Sequence, residues 1–269
     1  MALKDITLGQ YFPGNTLLHR LDPRTKLLFT VAYIVALFLA KHVVGYAVLF
    51  VLLAVLIAVS KVGIKSILRG MKPILIIVII TGLLNLFYTR GEGAPLVSFW
   101  IFTIYPEGIW AAVFMVLRIA MLITCTFLLT YTTSPILLTD GLEKLMGPLK
   151  TLHVPVHELS MMMSIALRFI PTLIEETDKI MSAQKARGAD FDTGNLLQKA
   201  KALVPLLVPL FISAFRRAND LAMAMEARCY RGGEGRTKMK PLIYKKRDYT
   251  AFAVLGLYLA AAVLTVLIP

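Results

Sequence analysis

Two short stretches carry the side chains best suited to recognition chemistry. The first reads Ile180-Met181-Ser182-Ala183-Gln184-Lys185-Ala186-Arg187-Gly188. The second, 41 residues later, reads Leu221-Ala222-Met223-Ala224-Met225-Glu226-Ala227-Arg228-Cys229. In each, an aliphatic residue and an Ala precede an Ala-Arg-small triplet at the same spacing. A guanidinium is a rigid fork of donors that grips a carboxylate through two parallel hydrogen bonds, and small neighbours let another surface approach closely. Two similar helices, each with one such fork, would suit two similar acidic grooves. The same pattern also arises at ordinary helix C-termini, where an arginine meets the negative end of the helix dipole for about 0.3–1 kcal/mol. Gly188 suits the left-handed position that often stops a helix, whereas the second helix is expected to run on to Gly232-Gly233.

Other chemistries find no support. Nucleotide hydrolysis of the P-loop type needs GxxxxGK[ST], and the chain contains no Gly-Lys pair. His157-Glu158 lacks the second His of HExxH. His153 and His157 are separated by Pro155 and have no Cys or carboxylate to complete a four-ligand set, so they read as turn residues. Cys125 and Cys229, far apart in unlike segments, form neither a disulfide framework nor a CxxC site. No Ser-His-Asp arrangement can be argued.

The elements that must position the two arginines are dictated by composition. At 58% hydrophobic and 17% charged, the chain departs from a soluble domain toward a lipid solvent. That excludes disorder. It also argues against nucleic acid as a partner, despite a net charge of +13, because such readers carry their basic charge on a water-soluble surface. The polar first 26 residues show no signal-type apolar core, so no cleaved targeting segment is expected. Apolar runs predict five membrane spans at 27–40, 43–59, 74–88, 108–130 and 249–268, the third opened by Pro73. With a cytoplasmic N-terminus, the inside segments 1–26, 60–72 and 131–248 hold 26 of the 29 Lys and Arg residues, a strong positive-inside signal that leaves the C-terminus outside. The outer loop 89–107, with its Val97-Ser98-Phe99-Trp100-Ile101-Phe102-Thr103-Ile104 stretch, reads as a short hairpin or interfacial segment. Within the spans the ionisable residue is Arg118, which no acidic partner accompanies. A packing role or a substrate role would fit it.

Segment 131–248 is too long for a loop and too apolar for one. Helical pieces at 136–149, 156–187 and 196–231 contain apolar runs shorter than a span, the longest broken by Pro205 and Pro209. Such runs usually form buried, re-entrant or interfacial helices, and here they predict an amphipathic platform. Eight of the twelve methionines lie in it, among them Met161, Met162, Met163, Met181, Met223 and Met225. Flexible thioethers suit surfaces that accept several partners, and they also fill gaps between helices. The fold class expected is therefore an all-α membrane protein of about five transmembrane helices with a cytoplasmic-side platform. It divides into a bundle (1–130), a coupling-helix domain (131–248) and a last span (249–269).

Several of these stretches together resemble the transmembrane T component of energy-coupling factor (ECF) transporters, a branch of ABC importers. They are His19-Arg20-Leu21-Asp22-Pro23-Arg24-Thr25-Lys26, Thr132-Thr133-Ser134-Pro135, Val154-Pro155-Val156-His157-Glu158, Leu167-Arg168-Phe169-Ile170-Pro171-Thr172 and the two triplets. The resemblance implies a non-catalytic scaffold of the prokaryotic cell membrane. It would have two similar ABC-type ATPase subunits, the halves of a heterodimer, that bind the ATP, and a small S component that binds a vitamin or metal. It also implies that Ala186, Arg187, Gly188 and Ala227, Arg228, Cys229 end coupling helices that dock on the two ATPases. Cys229 departs from the glycine often found there, which leaves a less sharply defined helix stop. The six methionines above would face the S component. A version dedicated to cobalt, nickel or biotin is the alternative within the family, though no metal-ligand cluster supports the metal forms. A self-sufficient permease is the alternative outside it, against which stands the lack of ionisable residues along a central path.

Overall fold

The computed structural model of the chain describes residues 11–40, 42–89, 97–99, 102–189, 191, 195–233, 235, 239 and 241–267. Helices dominate: α1 (Pro23–Leu39), α2 (Val43–Ser60), α3 (Ile64–Met71), α4 (Leu75–Tyr88), α5 (Pro106–Thr132), α6 (Pro135–Leu145), α7 (Val156–Ala186), α8 (Leu196–Ala227) and α9 (Lys246–Leu267). Strands β1 (Val97–Phe99) and β2 (Phe102–Ile104) pair antiparallel with Val97 opposite Ile104, which gives the expected hairpin; its Trp100 and Ile101 lie outside the described residues. The chain divides into two compact units, one comprising Gly9–Gly141 with Leu242–Pro269 and the other Leu142–Pro241.

In the first unit α1, α2 and α5 bury Tyr33, Leu37, Leu49, Leu52, Met121, Cys125 and Leu128 against one another, with Tyr258 and Leu259 of α9 packed on that core. Many apolar side chains of α1, α2 and α4 face outward, Phe38, Phe50, Val51, Ile76 and Ile80 among them, as expected of helices whose outer surface meets hydrocarbon. A clamp at the first turn of α1 explains the polar stretch that precedes it. Asp22 caps the helix by accepting from the Arg24 amide at 2.9 Å and pairing with the Arg24 guanidinium at 2.8 Å, and Pro23 occupies the first helical position. Buried Asp248, in the first turn of α9, accepts from the Asp22 amide (2.8 Å), the Thr25 hydroxyl (3.1 Å) and the Lys245 amide (2.8 Å). The Lys26 ammonium donates to the Thr132 carbonyl (2.9 Å), the Thr133 hydroxyl (3.2 Å) and the His19 carbonyl (3.3 Å). One helical turn thus ties the start of α9 and the end of α5 to α1, with every buried charge hydrogen-bonded as burial demands.

Three helical stretches among the described residues are long and apolar enough to cross a membrane: Val43–Ser60, Pro106–Thr132 and Lys201–Ala227. A fourth is the pair α3 and α4 taken together, bent by 65°. This differs from the sequence expectation in three respects. Three or four spans are clear by length and apolarity, and these do not include the expected spans at α1 and α9. Pro73 lies in the bend that separates α3 from α4 and not at the first position of α4. The third helical piece runs through Pro205 and Pro209 as expected, since α8 continues without interruption for 32 residues; each proline removes one backbone bond, and the neighbouring turns carry the helix across. Conversely, the expected piece at 136–149 is two elements. Gly147-Pro148 ends α6 and starts a 3-10 turn over Gly147–Leu152, as a proline without an amide donor favours. His153 closes that turn in the left-handed conformation, and His157 bonds Glu143 through Nδ1 at 3.1 Å. Arg118 is packed among aromatic rings. Its Nε and Nη2 donate to the Tyr46 hydroxyl at 2.9 and 2.6 Å, and its guanidinium lies 5.5 Å from the Phe38 ring centre.

Candidate functional site

Both arginine triplets terminate long helices of the second unit, and they do so with the same bonds. In α7 the Gly188 amide donates to the Lys185 carbonyl (3.0 Å) and the Ala189 amide to the Gln184 carbonyl (3.0 Å). In α8 the Cys229 amide donates to Glu226 (2.8 Å) and the Tyr230 amide to Met225 (3.0 Å). These are the two bonds of the Schellman motif, which satisfies carbonyls that a helix end otherwise leaves open. Arg187 and Arg228 occupy the cap position with nearly identical backbone angles, φ −87° and −94°. The next residue is left-handed in both: Gly188 at φ +87° and Cys229 at φ +54°. The expected extension of the second helix to Gly232-Gly233 therefore does not occur. The six-to-one and five-to-two bonds hold Cys229 in a conformation that usually selects glycine, so its stop is as sharp as the first. All six triplet residues are exposed.

The two tips are held apart by the way α7 and α8 pack. Glu176 of α7 accepts from the Ser213 hydroxyl and from Arg217 Nη2 (2.9 Å) and Nε (3.2 Å) of α8. Farther back along α7, Met161 accepts from the Tyr230 hydroxyl at 3.1 Å. Moving toward the N-terminus of α7 thus means moving toward the C-terminus of α8, so the helices run antiparallel. Glu176 and Arg217 are themselves 41 residues apart, the same offset as Arg187 and Arg228. Equivalent positions of the two helices meet at the contact, and each arginine lies 11 residues beyond it on its own helix, about 16 Å at 1.5 Å per residue. The tips point in opposite senses, up to about 33 Å apart. At the contact the repeat reverses sign: Glu175-Glu176 in one helix corresponds to Arg216-Arg217 in the other, so two like helices attract where they touch. The Ser213 hydroxyl bond, with Arg217 beside it, outweighs burial and holds the Glu176 carboxyl below the usual range.

The structure does not bring the two triplets together. Nor does it gather the six methionines onto one exposed face: Met162, Met163 and Met223 are exposed, whereas Met161, Met181 and Met225 are half-buried, with Met161 and Met225 beside Arg228 in a shallow pocket. Sequence reasoning missed the Glu176–Ser213–Arg217 contact and the Asp248 clamp. The sign reversal at the 41-residue offset could have revealed the first.

Comparison with known proteins decides the family. The family model described as CbiQ, cobalt transport protein, matches residues 14–239. The energy-coupling factor transporter transmembrane protein EcfT of Clostridium kluyveri is 58% identical over 249 residues, covering 93% of this chain and 92% of that protein. The EcfT protein of Thermosediminibacter oceani is 54% identical over 98% of both chains, and that of Bacillus subtilis is 48% identical over 97% of this chain and 98% of its own. The chain belongs to the EcfT family.

As an EcfT protein it is a multi-pass membrane protein, and the helices described above supply both its spans and its additional helices. The EcfT match runs through both triplets and the α1 clamp. The family model's description mentions cobalt. Among the described residues, however, no three His, Cys, Asp or Glu side chains gather as an ion site.

Proposed function

We propose that this chain transmits ATP hydrolysis through the exposed tips of α7 and α8, each docked on one of two similar partner ATPases. The general role follows from the family: the chain is the membrane-embedded coupling and scaffold subunit of an ECF-type ABC importer for micronutrient uptake, and it is not the ATPase. The observation that carries the finer reading is the pair of identical helix ends. Each presents one exposed guanidinium at a rigid Schellman cap, and the two point opposite ways along an antiparallel pair. A single acidic groove cannot meet both tips, whereas one groove on each of two related subunits can. Movement of either ATPase would then turn α7 and α8 as levers about the Glu176–Arg217 contact.

The reading extends to topology and partners. We assign 1–130 to the bundle, 131–248 to the coupling domain and 249–269 to the last span; the division of the chain at Leu142–Pro241 supports it. Five spans remain our reading, since α1 with 17 residues and α9 with 22 fall within the 17–25 that cross a bilayer. α8 passes the same length test, but Arg216, Arg217 and Asp220 sit within it. Each such charge costs about 2.5–3.5 kcal/mol at a helix centre in the bilayer, which favours the cytoplasmic interface. Its exposed Val204, Leu207, Val208, Phe211 and Phe215 then face lipid or the S component. The exposed Met162, Met163 and Met223 are the best placed of the six methionines for that partner. Arg187→Glu combined with Arg228→Glu should abolish ATPase co-purification and uptake in the reconstituted transporter. Unchanged co-purification and uptake would remove the docking assignment.

A further inference from the structure

A cavity of about 290 Å³ opens in the first unit among the ends of four helices, a volume near the lower end of those that hold small ligands. Its walls include Lys26 in the first turn of α1, Thr132 at the end of α5, Val59 in the last turn of α2 and Arg247 in the first turn of α9. All four lie on the side where the chain places 26 of its 29 basic residues, the cytoplasmic side by the positive-inside rule. The floor is hydrocarbon, formed by Phe29, Leu56 and Leu128. Along α9 the lining runs from Arg247 to Val254, about 10 Å of helix, the depth at which headgroups give way to acyl chains. At the rim, Leu17 (63%), Val59 (37%) and Val254 (46%) are exposed apolar residues, so the mouth is bordered by surface that water does not favour.

We infer that this cavity binds an anionic phospholipid of the inner leaflet, with its phosphate on Arg247 and an acyl chain against Phe29, Leu56 and Leu128. The two ends of the cavity call for different chemistry. Arg247 is exposed at the rim and forms no ion pair among the described residues, so its fork is free for a phosphate, which it can grip with two bonds. The ammonium of Lys26, the other cation of the lining, already spends its three donors on His19, Thr132 and Thr133. The lining hydroxyls of Thr25, Thr30, Thr132 and Thr250 likewise donate within the protein, so the interior favours hydrocarbon over a second polar group. A molecule with a charged head and an apolar tail matches both ends, and the cytoplasmic leaflet supplies it in negatively charged form.

Native mass spectrometry of the purified full chain with added phosphatidylglycerol or phosphatidylcholine tests this. One cation near an anionic surface is worth about fivefold in affinity, so phosphatidylglycerol should be retained about fivefold over phosphatidylcholine. Arg247→Gln, an exposed substitution, should bring that ratio to about one, and Val254→Trp at the mouth should lower retention of both lipids. A phosphatidylglycerol with a photoactivatable acyl chain should label the peptides that contain Leu56 or Leu128. Equal retention of the two lipids, a preference that survives Arg247→Gln, or labelling confined to other peptides would overturn the assignment. So would displacement of the lipid by glycerol phosphate without acyl chains, which would identify a free phosphate as the occupant.

Discussion

Substituting the two helix caps in opposite directions should move the two tips in opposite directions. Gly188 and Cys229 hold the same left-handed position, at φ +87° and +54°, and close the same pair of bonds. Nothing lies within 4 Å of the place a Cβ would take at Gly188, so the cost of Gly188→Ala is backbone strain alone. The left-handed conformation costs an L-residue about 1–2 kcal/mol. About 0.4–1 kcal/mol of that is offset because alanine loses less freedom on folding than glycine. The net is a loss of roughly 0.5–1 kcal/mol at α7, and a gain of about the same size for Cys229→Gly at α8. At about 0.8 kcal/mol, local opening changes roughly fourfold, since 1.4 kcal/mol is tenfold. Hydrogen exchange of the full chain, read at the amides that close the longer bond, should show Ala189 exchanging about fourfold faster in Gly188→Ala and Tyr230 about fourfold slower in Cys229→Gly. Faster exchange at Tyr230 in Cys229→Gly, or no change in either variant, would refute the common cap.

Asp248→Ala removes an acceptor that three buried or half-buried donors share, and should lower stability by about 2–4 kcal/mol; Asp248→Asn, which keeps one oxygen, should cost less, and thermal unfolding in detergent distinguishes them. Reversing one partner of the Glu176–Arg217 contact should cost about 1 kcal/mol, because both side chains are partly exposed, and the double exchange Glu176→Arg with Arg217→Glu should recover most of that loss in the same assay. Burial alone would raise the Asp22 carboxyl, but its hydrogen bonds to Arg24 and the nearby charges win, so its value, like that of Glu176, lies below the ordinary one. Their contribution to stability is complete above the ordinary carboxylate range and is lost as pH falls through that range and below it; unfolding midpoints should therefore be flat near neutrality and drop on acidification, with a smaller drop in Glu176→Gln.

Much of the architecture was legible because periodicity and charge report on solvent. The apolar runs located α2, α4 and α5 within a few residues. One misreading comes from a local rule that a longer-range bond overrides. Cys229 looked like a poor stop, yet the Tyr230–Met225 bond fixes it as one. The arginine triplets were visible as a repeat, but their placement at opposite ends was not, since it depends on which faces of α7 and α8 touch. The Asp248 clamp was out of reach for a different reason: Asp22 and Asp248 are 226 residues apart, and no local pattern links them.

The central claim, that each arginine tip meets its own ATPase, is tested most directly by a photo-crosslinking amino acid placed in turn at positions 187 and 228 of the assembled transporter. The account predicts that irradiation joins each position to an ATPase subunit, and that the two positions capture different subunits. Adducts with the S component, or one and the same ATPase subunit captured from both positions, would contradict it.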